Sequence, residues 1–400
     1  MLVLQNNVFI VAGAKRYCIY DLNTKKLYSL DSEDFRQISR ILEGDQDISE
    51  EVLNYLLKSG LVVDNKDLIP PLSPTTVNCT DFAWIEITQN CNLICRHCYE
   101  ESSRAQKMPE MSFSDFQHVV NELQSVGVNR IQLVGGEPLL HSHIEQLIEY
   151  VRGKFSFIEV YTNGTLLNDR FLDFAKDNGV ALAFSVYSED ASLHDSVTRT
   201  EGSFKQTYSH IKQAVSKGIQ VRVSSVEMDG LPCFQFSDLE VPHKTDLPRL
   251  TGRADLSLYN RDMLRRKLIT KSTFTAPIDP EAFFNNQTVH NCFGDHLYID
   301  YRLNVFPCAM ERRYCYGTLE SAGLSEILGN SLANLTKDRI KGCCNCEFRY
   351  ACYDCRADAN NAELYDKPWY CTYDQENGIW LDEDLFIDSL LAEHNLPSVE

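Results

Sequence analysis

The amino-acid sequence predicts an α/β fold built on a parallel sheet, with a small module before it and a cysteine-rich part after it. Residues 82–226 alternate apolar, β-branched runs with helix-like patterns, which is typical of repeated βα units. The chain has 400 residues, enough for two or three domains. Its 15 cysteines are unevenly spread, since none lies between residues 99 and 232 and nine lie between residues 292 and 371.

Residues 1–70 are predicted to form the N-terminal module. "NVFIV", "RYCIYDL", "KLYSL" and "LVV" have the composition of short strands, and "SEDFRQISRIL" and "SEEVLNYLLKSG" have helical periodicity. In the second helix Ser49 is the expected N-cap and Gly60 the expected C-cap. The apolar stripe of this helix consists of Val52, Leu53, Leu56 and Leu57. Strands with two helices predict a winged-helix-like module, and a linker at residues 71–81 follows, beginning in the Pro-rich "PPLSP".

Residues 82–285 are predicted to form the parallel-sheet core. Five strands are expected in "FAWIEIT", "RIQLVG", "FIEVYT", "ALAFSVYS" and "IQVRVSSV", and a sixth in "DLPRLTGRAD". The best helical pattern between them puts four apolar side chains on one face: Phe116, Val119, Val120 and Leu123. Periodicity alone leaves two arrangements open, a doubly wound sheet and a barrel. Residues 286–375 form the cysteine-rich part, and residues 376–400 are expected to end the chain in a helix.

Composition argues against several classes of function. The formal net charge of −19 argues against nucleic acid as the main partner. No apolar run is long enough to cross a bilayer, and the N-terminus lacks the basic start of a signal peptide. We therefore expect a cytoplasmic protein without a membrane partner. In a reducing compartment clustered cysteines more often bind metal or do redox chemistry than form disulfides.

Three cysteines, Cys91, Cys95 and Cys98, follow directly on the first strand of the βα series. Loops at the C-terminal ends of parallel strands carry the active sites of such folds. Thiolates are natural ligands of iron–sulfur clusters, and three of them on a four-iron cluster leave one iron open to a small molecule. A zinc loop is the alternative interpretation of this spacing.

The C-x-x-x-C-x-x-C spacing resembles the cluster loop of radical S-adenosylmethionine (radical SAM) enzymes, and further motifs of that family follow. "GGEP" ends the second strand, "TNGT" the third and "SVYSE" the fourth, and "LHDSVTRTEGSF" comes next. The resemblance implies a partial (β/α)6 TIM-like barrel with the cofactor at these strand ends. The implied cofactor-binding residues are Gly135, Gly136, Glu137, Pro138, Asn163, Ser185, Tyr187 and Arg199. Arg199 matches the family arginine that pairs with the cofactor carboxylate.

The resemblance also implies a reaction, in which S-adenosylmethionine is cleaved reductively at a 4Fe-4S cluster and hydrogen is abstracted from an unactivated carbon. In the family the "GGEP" stretch meets the amino group of the cofactor, and glycine lets a backbone approach a ligand closely. One departure is His97, because the family usually has an aromatic residue before the third cysteine. Asp195 and Tyr187 lie near the expected pocket, but the sequence names no catalytic acid, base or hydrogen donor.

The later cysteines resemble the SPASM extension of peptide-modifying radical enzymes, which carries two auxiliary 4Fe-4S clusters. Carried over by position, one ligand set consists of Cys343, Cys346, Cys352 and Cys371. The other set consists of Cys292, Cys308 and Cys355. The candidates for its fourth ligand are Cys315, Cys344 and Cys233, or a thiol of the substrate. A fused pair of zinc ribbons is the alternative interpretation.

The chain departs from the SPASM pattern at two places. The gap between Cys352 and Cys355 holds two residues, where the family has three. The family glycine five residues before Cys308 is Leu303, which puts a tight turn there in doubt because leucine disfavours positive φ. Cys18 and Cys79 are expected to be ordinary thiols without a metal role.

Gly252 and Arg253, in "LTGRAD", match a family element that precedes the extension. The stretch before this element is short, and the family usually has a full helix there. We therefore expect a less complete barrel with a wider opening.

The N-terminal module resembles the peptide-recognition element of maturases that act on ribosomally made peptides, including systems of the grasp-with-spasm kind. Such modules add a leader peptide as an extra strand; a small structural cap on the core is the alternative. The predicted function is a radical SAM/SPASM peptide maturase that forms a thioether or carbon–carbon cross-link, or epimerises a residue. Its expected partners are a precursor peptide with a leader and an electron donor such as flavodoxin or ferredoxin. The alternatives are an anaerobic sulfatase-maturating enzyme, which forms formylglycine, and a non-catalytic, metal-stabilised peptide-binding protein.

Overall fold

The computed structural model describes residues 2–45, 49–73, 80–102, 107–290, 292–360 and 362–393. Most of the expected linker, including Cys79, lies outside these residues, as do the last residues of the predicted C-terminal helix. No helix in the described ranges is both long enough and apolar enough to cross a membrane.

The N-terminal module consists of two small antiparallel sheets and two helices. The first sheet pairs β1 (Leu2–Leu4) with β5 (Val62–Asp64), and the second is formed by β2 (Val8–Ala12), β3 (Tyr17–Asp21) and β4 (Lys26–Leu30). The helices are α1 (Ser32–Glu43) and α2 (Glu50–Ser59). The caps predicted for α2 are confirmed, since Ser49 accepts a hydrogen bond from the Val52 N–H and Gly60 closes the helix at φ +74°. The predicted stripe is wrong at Leu57, which is 41% exposed.

The core is a sheet of six parallel strands with helices in the connections, which confirms the α/β class. The strands are β6 (Phe82–Thr88), β7 (Arg130–Gly135), β8 (Phe157–Thr162), β9 (Ala181–Ser185), β10 (Val221–Val226) and β11 (His243–Asp246), and they pair in chain order. The helices are α3 (Phe113–Ser125), α4 (Ile144–Val151), α5 (Asp169–Asp177), α6 (Ala191–Thr198) and α7 (Ser203–Ser216). All four residues of the stripe predicted for α3 are buried.

The sixth strand lies earlier than predicted. It is "HKTD" and pairs His243 with Val223 of β10. The predicted stretch "DLPRLTGRAD" shares only Asp246 with this strand. A polar four-residue strand has no apolar periodicity, so the sequence pattern could not locate it. An aromatic layer stands beside it where a helix is expected, with Phe236 5.0 Å from Tyr208 and Phe234 4.8 Å from His243 between ring centroids. This layer covers the outer face near β10 and β11.

The C-terminal part continues the central sheet and then adds short elements. It contains α8 (Arg261–Lys267), α9 (Pro280–Asn285), β12 (His296–Ile299), β13 (Asn304–Phe306), β14 (Gly317–Thr318), α10 (Leu324–Ile327), β15 (Tyr373–Asp374), β16 (Ile379–Trp380) and α11 (Glu383–Glu393). Strand β12 pairs parallel with β6, so the sheet has nine strands in the order β11-β10-β9-β8-β7-β6-β12-β13-β14. The cysteine-rich part is therefore joined to the core by backbone pairing.

The turn between β12 and β13 forms although leucine occupies the glycine position. Leu303 has φ +67°, and its side chain is buried in the main apolar core. Asp300 supports the turn, because its carboxylate accepts hydrogen bonds from the backbone N–H groups of Arg302 and Asn304 at 2.9 and 2.8 Å. Burial and these bonds offset the strain of the left-handed conformation. The doubt raised by the sequence at this turn is thereby removed.

The N-terminal module packs directly on the cysteine-rich part. The backbone N–H of Ala14 donates to the carbonyl of Asn345 at 2.7 Å, and the Tyr20 hydroxyl donates to the carbonyl of Glu347 at 2.8 Å. In the opposite direction, Arg349 donates to the carbonyl of Ala12 at 2.7 Å. The β2–β3 hairpin is thus hydrogen-bonded to the segment that carries several of the clustered cysteines.

Candidate functional site

A cavity of about 370 Å³ opens at the C-terminal ends of the parallel strands, a size within the range of roughly 300–1,000 Å³ typical of small-molecule sites. Cys91, Cys95 and Cys98 line one wall of this cavity. The opposite walls come from the ends of β7 to β11 and from Ala309 and Met310, next to Cys308. The structure therefore brings the three-cysteine loop and the strand-end motifs together around one space.

The cysteine loop is held by backbone hydrogen bonds to the end of α6. The N–H of Ile94 donates to the carbonyl of Thr198 at 3.2 Å, and the N–H of Arg96 donates to that of Val197 at 3.0 Å. Asn90 closes the loop at its start, because its side chain bonds both the N–H and the carbonyl of Met108. The loop is thus fixed relative to α6.

Arg253 clamps the same loop from the other side, a role that the sequence did not reveal. Its backbone N–H and Nε donate to the carbonyls of Cys98 and Cys95 at 3.1 and 2.9 Å, and its Nη1 donates to the carbonyl of Ser102 at 2.9 Å. Gly252 has φ +59°, and a Cβ there would lie 2.6 Å from the carbonyl oxygen of Tyr99. The "GR" of "LTGRAD" therefore packs against the cysteine loop.

The glycines of "GGEP" line the cavity, and their small size is also required by the backbone at the end of β6 and the start of the cysteine loop. A Cβ at Gly135 would overlap the carbonyl of Thr88, and one at Gly136 would lie 2.6 Å from the carbonyl oxygen of Gln89. The backbone N–H of Gly136 donates to Thr88 at 2.8 Å. Close approach of two backbone segments is thus a second reason for glycine at these positions, beside the expected approach of the backbone to a ligand.

Glu137 and Pro138 lie outside the cavity lining. The Glu137 carboxylate is fully buried and accepts hydrogen bonds from the Thr162 hydroxyl and from the N–H groups of Asn163 and Leu139, at 2.7, 2.8 and 3.1 Å. Burial raises the pKa of Glu137 to about 7, and these three hydrogen bonds act against that shift. The geometry makes Glu137 a link between the ends of β7 and β8.

Asn163, Ser185 and Tyr187 line the cavity, as the sequence predicted for cofactor-binding residues. The amide of Asn163 donates to Asn92 in the cysteine loop at 2.9 Å and accepts from the backbone N–H of Thr165. His97 lies edge-on to the ring of Tyr187, with 4.7 Å between centroids. Burial, and then the charges of Arg253 and Arg96, lower the pKa of His97 to about 4, so this ring is neutral at pH 7.

Asp195 lies in the last turn of α6, and Arg199 follows the helix as its C-cap. Arg199 is exposed and is not part of the cavity lining, but it follows directly on the two residues that bind the cysteine loop. It adopts the left-handed conformation, with φ +52°. Asp195 is structural, because its carboxylate accepts hydrogen bonds from the N–H groups of Gly202 and Phe204 and from the Ser203 hydroxyl.

Arg222 on β10 is a cavity residue that the sequence analysis did not single out. Its guanidinium forms a bidentate pair with the buried carboxylate of Glu159, at 2.8 and 2.7 Å, and its Nη1 donates to Ser224. Gln132 also donates to Glu159. The one charged residue in the predicted strand "IQVRVSSV" was the available signal.

The thiols of the loop have the chemistry that an iron–sulfur cluster requires. Burial raises the pKa of both Cys91 and Cys95 to about 12, so without a cation they are protonated at neutral pH. Iron displaces such protons and keeps the thiolates in a buried site. In the described ranges no three His, Cys, Asp or Glu side chains are arranged around a single metal ion. The three thiols line an open wall, and this arrangement fits a cluster with one iron facing the cavity.

A second cavity is lined by all four members of one predicted auxiliary set, Cys343, Cys346, Cys352 and Cys371. Its lining contains three cations and no carboxylate; the cations are Lys337, Arg349 and Lys367. Lys337 is paired with the buried Asp354 behind it. Cations at this position offset the negative charge that four thiolates bring to a cluster.

The other predicted set, Cys292, Cys308 and Cys355, is also brought together. Cys308 is buried in the main apolar core, and Cys292 and Cys355 pack against that core. Burial raises the pKa of Cys292, and the neighbouring thiols of Cys308 and Cys355 raise it further. Cys315, expected as a fourth ligand, is exposed, and its thiol donates to the carbonyl of Gly317 at 3.3 Å. Cys233 is also exposed and faces Glu227. Neither of these exposed thiols is placed with the set. The third candidate, Cys344, is partly buried and follows directly on Cys343 of the first set.

Comparison with known proteins agrees with this geometry. The Radical SAM superfamily matches residues 85–241. An AdoMet-dependent heme synthase of Nitratidesulfovibrio vulgaris is 30% identical over 333 residues, 72% of this chain and 89% of that protein. The subtilosin biosynthesis protein AlbA of Bacillus subtilis is 35% identical over 144 residues, 36% of this chain and only 32% of AlbA.

Two solved structures share the fold at low sequence identity. Streptococcus suis SuiB bound to its precursor peptide SuiA has a TM-score of 0.55 at 12% identity, covering 90% of this chain and 96% of SuiB. The structure of anSMEcpe with AdoMet and the Cp18Cys peptide has a TM-score of 0.53 at 13% identity, covering 78% of this chain and 96% of that protein.

Proposed function

This chain belongs to the radical SAM superfamily, and we propose that within it the protein is a peptide maturase. In this proposal it cleaves S-adenosylmethionine reductively and modifies a ribosomally made precursor peptide. The observation that carries the proposal is the single cavity lined both by Cys91, Cys95 and Cys98 and by the strand-end motifs. Membership of an enzyme family sets aside the non-catalytic alternative.

The cofactors of the family are S-adenosylmethionine and a 4Fe-4S cluster, which together supply the radical chemistry. In this proposal Cys91, Cys95 and Cys98 hold the cluster, while Arg253 and the α6 end keep their loop in place. Gly135, Gly136, Asn163, Ser185 and Tyr187 form the walls against which the cofactor is oriented. Buried walls exclude water from the reacting groups.

Arg199 remains our proposed partner of the cofactor carboxylate. Arg199 directly follows Thr198, whose carbonyl accepts a hydrogen bond from Ile94 in the cysteine loop. The backbone of Arg199 therefore lies next to the loop that would hold the cluster. A left-handed arginine is uncommon, and such conformations concentrate at ligand sites. Glu137 and Pro138 act indirectly in this proposal, because Glu137 fixes Asn163 and the β7 end.

A peptide substrate is supported by a groove between the N-terminal module and the cysteine-rich part. The groove has a volume of about 480 Å³. It is bounded by Arg16, Leu27 and Ser29 of the module, by Lys271, Phe274, Thr275 and Gly378, and by the side chains of Phe348, Tyr373 and Trp380. Strand β4 pairs with β3 on one side, and its other edge carries no strand among the described residues. Addition of an extended leader peptide to this edge would place it beside the groove.

Two relatives support a peptide as substrate. AlbA is named for the biosynthesis of the bacteriocin subtilosin, and the SuiB structure contains a precursor peptide. We extend the proposal to the remaining expectations: a thioether or carbon–carbon cross-link or an epimerised residue as product, flavodoxin or ferredoxin as electron donor, and a cytoplasmic location. The proposed boundaries are 1–70 for the recognition module, 82–285 for the core, 286–375 for the SPASM part and 376–400 for the terminal helix.

The first experiment measures cofactor cleavage. The anaerobically reconstituted chain with reductant should convert S-adenosylmethionine to 5′-deoxyadenosine and methionine, measured by liquid chromatography. The triple variant Cys91→Ala, Cys95→Ala, Cys98→Ala should lose this activity while keeping the iron of the auxiliary sites. Cleavage by the triple variant would contradict the proposal.

The second experiment identifies the product. The chain is expressed anaerobically with the short peptide encoded beside it, and the peptide is compared by mass spectrometry with and without the enzyme. Loss of two hydrogens indicates a cross-link, and an unchanged mass with deuterium gained from solvent indicates epimerisation. An unmodified peptide, despite cofactor cleavage, would contradict this substrate.

Two other substrates are tested in the same assay. The 30% identical relative is a heme synthase, and the cavity lining contains a further cation, Arg249, which would face an anionic tetrapyrrole. The anSMEcpe fold match keeps sulfatase maturation as the other alternative. A mass change in an added tetrapyrrole, or formylglycine in a sulfatase peptide, would support the respective alternative.

A further inference from the structure

The auxiliary set of Cys292, Cys308 and Cys355 has three thiols, and the exposed thiols of Cys315 and Cys233 are not placed with it. The remaining cysteine candidate, Cys344, follows directly on Cys343, which lines the cavity of the other set. We therefore also consider a ligand of another type for this set. Imidazole nitrogen replaces thiolate in some iron–sulfur centres. This inference rests on the proposed function, since it takes these three cysteines as ligands of an auxiliary cluster.

His296 lies beside the set. Its Nε2 is 3.5 Å from the Sγ of Cys292, and its ring packs edge-on to Trp84 with 4.8 Å between centroids. Its side chain is 13% exposed. Trp84 also lines the main cavity, so the imidazole contacts a residue of that cavity's wall.

Asp295 prepares this imidazole for metal binding. Its carboxylate is 2.6 Å from the Nδ1 of His296, so it selects the tautomer with the proton on Nδ1. The lone pair of Nε2 then points to the Cys292 side. A carboxylate that accepts the second N–H is the usual outer partner of a metal-binding histidine, because it fixes the ring and raises its basicity.

We propose that His296 is the fourth protein ligand of the cluster held by Cys292, Cys308 and Cys355, binding through Nε2 with Asp295 as its outer partner. His290 is the competing histidine. Its Nδ1 accepts hydrogen bonds from the N–H groups of Cys292 and Phe293 at 3.1 and 3.0 Å, so that nitrogen is already used by the backbone. Its Nε2 is buried without a hydrogen-bond partner and serves as the alternative to be tested.

The test uses the full chain carrying Cys91→Ala, Cys95→Ala and Cys98→Ala, so that the radical SAM cluster does not contribute to the spectrum. The protein is reconstituted anaerobically and reduced, and electron–nuclear double resonance is recorded without added cofactor. We expect one strongly coupled ¹⁴N that changes to ¹⁵N when histidine alone is labelled. The signal should vanish in His296→Cys and persist in the matched control His290→Gln.

Further readouts separate ligation from a hydrogen bond and from misfolding. His296→Cys should keep the iron content and shift the reduction potential of this cluster to more negative values, because thiolate donates more charge than imidazole. Asp295→Asn should weaken iron retention by roughly 10-fold or more. Absence of strongly coupled nitrogen, its persistence in His296→Cys, or its loss in His290→Gln would overturn the assignment.

Failure of the ligand is distinguishable from failure of the function. If Cys308→Ala leaves the iron content unchanged, the three cysteines hold no cluster and the histidine assignment falls with them. The wild-type chain is judged separately by cofactor cleavage and by the mass of its peptide. If the wild-type chain cleaves the cofactor and modifies its peptide but the triple variant shows no nitrogen signal, only the proposed role of His296 is contradicted.

Discussion

Arg253 donates from Nε to the backbone carbonyl of Cys95 at 2.9 Å, which joins two residues 158 positions apart in the sequence. The contact attaches the segment after the sixth strand to the middle of the cysteine loop. Two further donors of the same residue bind Cys98 and Ser102. A short loop with three cysteines is thereby held by a side chain from another part of the chain.

Arg253→Lys is expected to loosen the cluster loop while keeping the charge. A charged hydrogen bond contributes roughly 1.5–3 kcal/mol, and lysine cannot reproduce the two-pronged geometry of the guanidinium. The variant should release iron to a chelator several-fold faster than wild type under anaerobic conditions. Arg130→Lys, at an exposed pair with Asp81, is the control and should release iron at the wild-type rate. Equal rates for both variants would contradict the clamp.

Gly136→Ala is expected to displace the cysteine loop, because the added Cβ would meet backbone oxygen atoms that cannot move independently. Overpacking of this kind costs roughly 1–3 kcal/mol. Thermal unfolding and iron content should both fall. Gly153→Ala is the control, since Gly153 has φ +73° with open space around it and should lose only about 1 kcal/mol through backbone strain. A Gly136→Ala protein with full iron content would show that the loop tolerates the shift.

Asp195→Ala is expected to destabilise the α6–α7 turn at neutral pH by about 1–2 kcal/mol, since it removes a carboxylate that accepts three hydrogen bonds. Burial acts to raise the pKa of Asp195, but the hydrogen bonds from Phe204, Ser203 and Gly202 outweigh it and lower the pKa.

The sign of the pH dependence follows from that lowered pKa. The stabilisation is present above the ordinary pKa of an aspartate and is lost as the pH falls through the lowered folded-state value. Wild type and Asp195→Ala should therefore differ in thermal midpoint at pH 7 and converge in acid. Asp262→Ala, an exposed carboxylate near Arg265, is the control and should differ little from wild type at pH 7. A constant difference across this range would argue that the carboxylate charge is unimportant.

At position 303 we expect the glycine variant to be more stable than the alanine variant, which reverses the usual order of stability. Leu303→Gly and Leu303→Ala both lose a buried side chain, but only glycine relieves the strain at φ +67°. The glycine variant should be the more stable of the two by about 1 kcal/mol in thermal unfolding. At Leu297, a buried residue inside β12, alanine should instead be the more stable replacement. The same order at both sites would mean that the turn at Leu303 relaxes in the variants.

Much of the fold and of the candidate site followed from local patterns. Apolar runs located five of the six parallel strands, and the stripe beginning at Phe116 located the buried face of α3. Cysteine spacing and strand-end motifs named Cys91 and Asn163, which the structure places in one cavity. These features are encoded within a few residues of one another, so they could be predicted without knowing the tertiary fold.

Other features could not be predicted because they depend on partners distant in sequence. The strand at His243 has no apolar period and exists only by pairing with β10. The two-residue glycine pattern at Gly135 suggested a ligand contact, but it did not reveal that a side chain at Gly135 would also meet the backbone of Thr88. Arg222 lines the cavity and pairs with the buried Glu159, a residue 63 positions earlier in the sequence, so local patterns did not reveal its position.

The sequence by itself determined the α/β class and the three-cysteine loop, because periodicity and spacing are properties of the chain; the two sets of later cysteines were implied by a family resemblance. The tertiary structure alone decided that Arg253 holds the loop and that Leu303 adopts a turn suited to glycine. It also decided that the His296 ring lies next to Cys292. Long-range packing sets these contacts, since a hydrogen bond or a strained turn persists only where the surrounding core supplies its partners.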